Sequence, residues 1–245
     1  MELPCRRWGR DPGLLALHGF SLDGRMFAPL AEELGALVAA DLPGHGQAAT
    51  RAASWDAAVA AVAATLTVTG TRALLGYSQG GRLALGVALT HPELVERLVL
   101  VSAGVGIEAP DVRARRRADD EALAQQIEAE GIAAFVEAWL ARPLVRPALA
   151  PEAAAADRAL RLEQSPAGLA AALRGLGQGA QPWLGARLPQ LACPTLWVAG
   201  ERDPTYRALA ERGAEACPRG EFAVLAAGHN VVAERPRELA ALLAR

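Results

Sequence analysis

The chain has 245 residues, 52% hydrophobic and 4% aromatic, with 27 acidic and 25 basic side chains and a net charge of -2. That balance gives no electrostatic basis for holding nucleic acid or an anionic membrane surface. Every basic residue is arginine, which excludes Schiff-base and lysine-base chemistry. The three cysteines, Cys5, Cys193 and Cys217, are far apart and lack metal-ligand spacing, which suits a reducing compartment. Residues 1–10 are polar, and no apolar run approaches the ~18 residues of a membrane span. A cytoplasmic, soluble protein with no cofactor is expected, acting as a monomer or weak homodimer.

In chain order, residues 13–17 read as a short strand ending at His18-Gly19-Phe20. Residues 25–34 read as a helix, with Met26, Leu30 and Leu34 on one face. Residues 36–40 form the next strand and run into the turn-rich Asp41-Leu42-Pro43-Gly44-His45-Gly46. Ser54 is placed to cap a helix over 55–66. A strand over 72–75 is followed by a helix over 78–90, then a strand over 98–102. Strands alternating with helices predict an α/β fold, a mostly parallel sheet with helices on both faces. The N-terminal residues 1–10 show no strand pattern, so that edge of the sheet is expected to be cut short.

The alternation stops after Gly106. Helical patterns over 111–129, 131–141, 151–164 and 166–176 are separated by prolines and contain no strand. They predict an inserted helical lid over 107–188, dividing the core into 1–106 and 189–245. Strand rhythm returns at 195–199 and 221–225, with a helix between and a closing helix over 234–244.

The chemistry-bearing stretch is Gly76-Tyr77-Ser78-Gln79-Gly80, with an apolar strand before it and an Ala/Leu-rich helix after it. That is the layout of a nucleophile elbow, in which a sharp turn aims a serine hydroxyl away from the sheet. The helix that starts there points free N–H groups and a positive dipole end at the serine. A catalytic triad on this architecture runs serine, acid, histidine, each at a strand's C-terminal end. Of the four histidines, only His229 lies beyond the serine and follows a strand. Asp203, just past the 195–199 strand, is the acid candidate, and it can also cap the next helix because Pro204 follows. Backbone N–H groups of Phe20 and Gln79 are candidates for an oxyanion hole.

These blocks, with Gly200-Glu201-Arg202-Asp203 and Gly228-His229-Asn230, resemble the α/β-hydrolase superfamily over almost the whole chain. Within it, the Gly-Tyr-Ser-x-Gly-Gly-Arg block, the arginine run Arg113–Arg117 and the segment Gly177-Gln178-Gly179-Ala180-Gln181-Pro182 resemble the menaquinone-pathway 2-succinyl-6-hydroxy-2,4-cyclohexadiene-1-carboxylate synthases. Val145 and Trp183 depart from that pattern, where an aromatic and a small residue are frequent. The resemblance implies a lyase that expels pyruvate from a polycarboxylated cyclohexene, with the triad making a strong base. An ester or thioester hydrolase using the same serine covalently is the alternative. Arginine forks bind carboxylates. Arg82, one helical turn after Ser78, is the first clamp candidate, followed by Arg116, Arg117 and Arg161 in the lid. Tyr77 flanks the serine, and Trp139 is expected to wall the pocket.

Overall fold

A computed structural model describes residues 1–51 and 53–244. Ala52 and Arg245, inside the first and last expected segments, lie outside the described residues. Seven strands form one sheet: β1 (Cys5–Trp8), β2 (Leu14–Leu17), β3 (Leu37–Ala40), β4 (Ala73–Tyr77), β5 (Arg97–Val101), β6 (Thr195–Gly200) and β7 (Gly220–Leu225), in the spatial order β1-β3-β2-β4-β5-β6-β7. All neighbours run parallel except β1, which pairs antiparallel to β3 with Cys5 opposite Ala40.

The period-two side-chain alternation of a strand builds two core layers. Leu15, Leu17, Leu74, Leu98, Leu100 and Trp197 pack to one face, beneath α2 (Trp55–Thr69), α3 (Gln79–Thr90) and α7 (Pro204–Ala216). Ala16, Leu75, Val99, Val101 and Val198 pack to the other, against α1 (Ala28–Leu34), α8 (Val231–Glu234) and α9 (Pro236–Leu243). Covering both faces is what a parallel sheet requires, and it explains the unbroken apolar runs of β3 and β6.

Between β5 and β6 the described residues contain no strand. Three α-helices occupy that span, α4 (Pro110–Leu140), α5 (Pro151–Leu162) and α6 (Pro166–Leu176), followed by a 3-10 turn over Gly185–Gln190. The two expected helices over 111–129 and 131–141 lie end to end in α4, broken at Gly131 (φ 82°, ψ 176°). These helices bury a third apolar cluster around Ile127, Phe135, Val136 and Leu169.

Five local expectations are corrected. The N-terminal edge is not cut short, because β1 is present. It is an edge strand whose residues alternate between exposed and half-buried, so it carries no apolar run to read. The first helix is preceded by a tighter 3-10 turn over Gly24–Phe27, which the Asp23 carboxylate caps. Ser54 stands at the N-cap of α2, but its hydroxyl makes no cap bond. That helix also runs on to Thr69, where Thr65 and Thr69 hydroxyls bond back to the carbonyls of Ala61 and Thr65. The closing helix is two pieces, since Pro236 has no N–H to continue one.

The sheet and α3 meet with no spare volume. A Cβ on Gly76 would lie 2.4 Å from the Gly80 carbonyl oxygen and 2.4 Å from Gly81 Cα. Gly76→Ala is therefore expected to destabilise the protein by about 1–3 kcal/mol. A urea midpoint equal to the wild type's would show that α3 can retreat without cost.

Candidate active site

β4 delivers the chain into the elbow, and Ser78 takes φ 51° and ψ -107°, dihedrals that a residue with a Cβ rarely adopts. Holding such a residue costs on the order of 1–3 kcal/mol, so the surroundings must over-determine it. Ser78 N–H donates to the Val101 carbonyl at 2.8 Å, and Arg82 N–H donates to the Ser78 carbonyl at 3.1 Å to open α3. The Gly80 N–H donates to the His18 carbonyl at 3.0 Å, and a Cβ there would be 2.2 Å from the Leu17 oxygen.

The ends of β4, β6 and β7 bring Ser78, Asp203 and His229 together. His229 Nε2 lies 3.1 Å from Ser78 Oγ, and His229 Nδ1 lies 2.7 Å from Asp203 Oδ2. The buried Asp203 carboxylate accepts from Nδ1–H, which leaves Nε2 as the acceptor for the serine hydroxyl. Asp203 Oδ1 meanwhile accepts from the Tyr206 N–H at 3.1 Å, so the aspartate caps α7 and orients the imidazole at once. The His229 carbonyl is itself held, by the Ser102 hydroxyl at 2.7 Å.

Phe20 and Gln79 sit on either side of the serine, and among the described residues neither backbone N–H has a protein acceptor. The loop carrying Phe20 is braced from beneath. His18 Nε2 accepts from the Leu42 N–H at 2.9 Å, which leaves Nδ1–H to donate to the Gly19 carbonyl at 2.8 Å. Burial holds His18 below its usual pKa and pushes His45 down to about 3. Both rings are neutral packing pieces, with His45 edge-on to Phe20 at 5.6 Å.

A cavity of about 200 Å³ opens over the serine between the core and the lid. Phe20, Ser78, Gln79, Arg82, Arg116, Trp139 and His229, all candidates from the sequence, are among the residues that line it. Arg82 is buried, and its Nη1 donates to Gln181 Oε1 at 3.2 Å. Among the described residues it has no carboxylate partner. Burial lowers its pKa to about 10, so it stays charged at neutral pH. Arg116 is paired with Asp120 at 2.8 Å.

The structure places the other candidates off the cavity wall. Tyr77 is in the core beneath, its ring 5.6 Å from His229. Arg117 donates to the Gly179 carbonyl on another face. Arg161 is buried against Asp157 at 2.8 Å and also bonds the Ser21 hydroxyl.

Sequence reasoning missed Tyr206, Gln178 and Arg142, which also line the cavity. Tyr206 packs edge-on against His229 with ring centroids 4.5 Å apart, and its hydroxyl accepts from Gln178 Nε2 at 2.9 Å. Its place in the first turn after Asp203 was the available signal. Arg142 lies 4.7 Å over the Trp139 ring, a contact no spacing rule singles out.

Comparison with known proteins places this geometry. Residues 14–242 match the alpha/beta hydrolase family. The 2-succinyl-6-hydroxy-2,4-cyclohexadiene-1-carboxylate synthase of Salmonella schwarzengrund (strain CVM19633) is 33% identical over 230 residues, 92% of this chain and 89% of that protein. A Bacillus subtilis (strain 168) protein bearing a provisional form of the same name is 37% identical over 167 residues, 67% of this chain and 61% of that protein. The solved structure of MenH from S. aureus superposes with a TM-score of 0.92 at 30% identity, covering 98% of this chain and 96% of that one.

The buried imidazoles make stability pH-dependent. Their folded pKa values are lowered, while an unfolded histidine titrates near 6.5. Below about pH 6.5 the unfolded chain binds more protons than the folded one, so stability is lost as pH falls. The urea midpoint is expected to drop between pH 7 and 5, and His45→Gln should flatten that slope. An unchanged slope in His45→Gln would assign the loss to other groups.

Proposed function

The chain belongs to the alpha/beta hydrolase family and is homologous to the 2-succinyl-6-hydroxy-2,4-cyclohexadiene-1-carboxylate synthases, and on that footing we propose that it is a carbon–oxygen lyase of menaquinone biosynthesis. It eliminates pyruvate from an enolpyruvyl-bearing, polycarboxylated cyclohexene. The observation that carries this reading is Arg82: a buried guanidinium without a carboxylate partner among the described residues, facing the same cavity as Ser78 and His229. A pocket for a neutral ester has no use for that cation. A substrate carboxylate supplies what it lacks, and the fork geometry of arginine suits it.

In this mechanism Ser78, His229 and Asp203 act as a triad that removes a proton. Asp203 fixes the imidazole and stabilises its charged form, and His229 takes the Ser78 proton so that the seryl oxygen can act as base. In the precursor, ring carbon 2 carries both the succinyl ketone and a hydrogen, and the ketone makes that hydrogen acidic. Its removal puts charge on the ketone oxygen, and the Phe20 and Gln79 N–H groups are the donors available to receive it. The electron pair then moves through the ring double bond to expel the enolpyruvyl oxygen from carbon 5. The leaving enolate takes a proton on carbon and becomes pyruvate. Trp139 and Phe20 wall the cavity and keep water from the charged intermediate.

Pyruvate release from the enolpyruvyl cyclohexene precursor tests the reading, and no release above background would end it. Turnover of p-nitrophenyl acetate at ordinary esterase rates would favour covalent hydrolysis by the same serine. Ser78→Ala should nearly abolish either activity. Arg82→Ala should cost roughly 2–4 kcal/mol of transition-state stabilisation in pyruvate release. An unchanged kcat/KM in that variant would remove Arg82 from the substrate site.

A further inference from the structure

Arg161 sits on lid helix α5, yet the residue is only 2% exposed and its guanidinium bonds Ser21 of the core. Its Nε and Nη2 are engaged by the Asp157 carboxylate one turn earlier, at 2.8 and 3.2 Å. Its Nη1 donates to the Ser21 hydroxyl at 2.5 Å. Ser21 directly follows Phe20 and has φ 63°. The Leu22 N–H donates to the Gly19 carbonyl at 3.3 Å, so Ser21 is the third residue of a four-residue turn that contains Phe20. That third position, with positive φ, is one that glycine or asparagine normally fills. A serine held there, fully buried, has its side chain fixed by the lid.

We infer that Arg161 is a positioning residue: through Ser21 it sets the turn that aims the Phe20 N–H at the reacting oxygen. Asp157 holds the guanidinium in one orientation, and the guanidinium holds Ser21 in the strained conformation. The oxyanion site is then complete only while α5 is docked on the core. This rests on the reading of Phe20 and Gln79 as oxyanion donors. It gives Arg161 a task other than touching a substrate carboxylate, in keeping with its place outside the cavity lining.

The test uses phenylmethylsulfonyl fluoride, a small uncharged reagent that modifies an activated serine and needs oxyanion donors but no carboxylate clamp. Arg161→Met strands the buried Asp157 charge and risks unfolding the lid, so the informative variant is Ser21→Gly. Glycine accepts the positive φ freely while removing the hydroxyl that Arg161 grips. Ser21→Gly should melt within a few degrees of the wild type and label Ser78 on the order of tenfold more slowly. That is less than the 10²–10³ that follows loss of a donor outright. The kcat of pyruvate release should fall in parallel, with KM little changed. Arg161→Lys keeps the charge but cannot bridge both partners, and it should show the same slow labelling.

Wild-type labelling rates in Ser21→Gly would overturn the inference. So would Arg161→Lys with a raised KM for the carboxylate substrate and an unchanged labelling rate, since that pattern belongs to a substrate clamp. If the wild-type Ser78 is not labelled at all, the oxyanion-site reading falls, and the inference with it.

Discussion

The close approach of α3 to the end of β2 is the constraint on which the rest of the site depends. Gly80 has no Cβ, so its backbone can lie against the Leu17 and His18 carbonyls and bond to one of them. That contact joins the two segments that carry Gln79 and Phe20. It also sets how sharply the chain must turn at Ser78. The strain at Ser78 is thus a consequence of packing, imposed by a helix that cannot lie farther from the sheet. Ser102, the second non-glycine residue at a strand end with positive φ (50°), sits one strand over and grips the His229 backbone. The site is held by backbone positions as much as by the three side chains that would do the chemistry.

Arginine does two kinds of work here, and surroundings separate them. In the lid, Arg116, Arg158, Arg161 and Arg174 are each paired with carboxylates. Most of those pairs are solvent-exposed and contribute little to stability individually. Arg82 differs in being buried without such a pair among the described residues. Burying a cation that way is costly unless a partner arrives. An anionic ligand that neutralises it therefore recovers desolvation already incurred in folding. This is how a site can prefer a carboxylated molecule over a neutral one of the same shape.

Much of this was legible from the residues. The parallel strands betray themselves as apolar runs, because both of their faces are covered. The Ser78, Asp203 and His229 set is legible because the order of elements fixes which strand ends can meet. Other features carry no local signal. β1 is an edge strand whose inner face, Arg6 and Trp8, is only half-buried, so its backbone pairing with β3 leaves no apolar run in the sequence. The fates of Arg116, Arg117 and Arg161 depend on partners from 4 to 140 residues away, such as Asp120, Gly179 and Ser21. Spacing places a side chain on a helix face, but it does not say which neighbour will claim it. Arg117 and Arg161 belong to the same all-arginine set of basic residues as Arg82, and only tertiary packing divides them.

Phe20 has one more role. Its ring packs into the lid's own apolar cluster, against Phe135 at 5.9 Å and Trp139 at 5.4 Å, although its backbone belongs to the core. Lid and core therefore share a residue, and they do not form independent cooperative units. On the proposed mechanism, a partial opening that released the lid helices would lose the Phe20 anchor as well, so ligand exchange and chemistry would belong to different states of the protein.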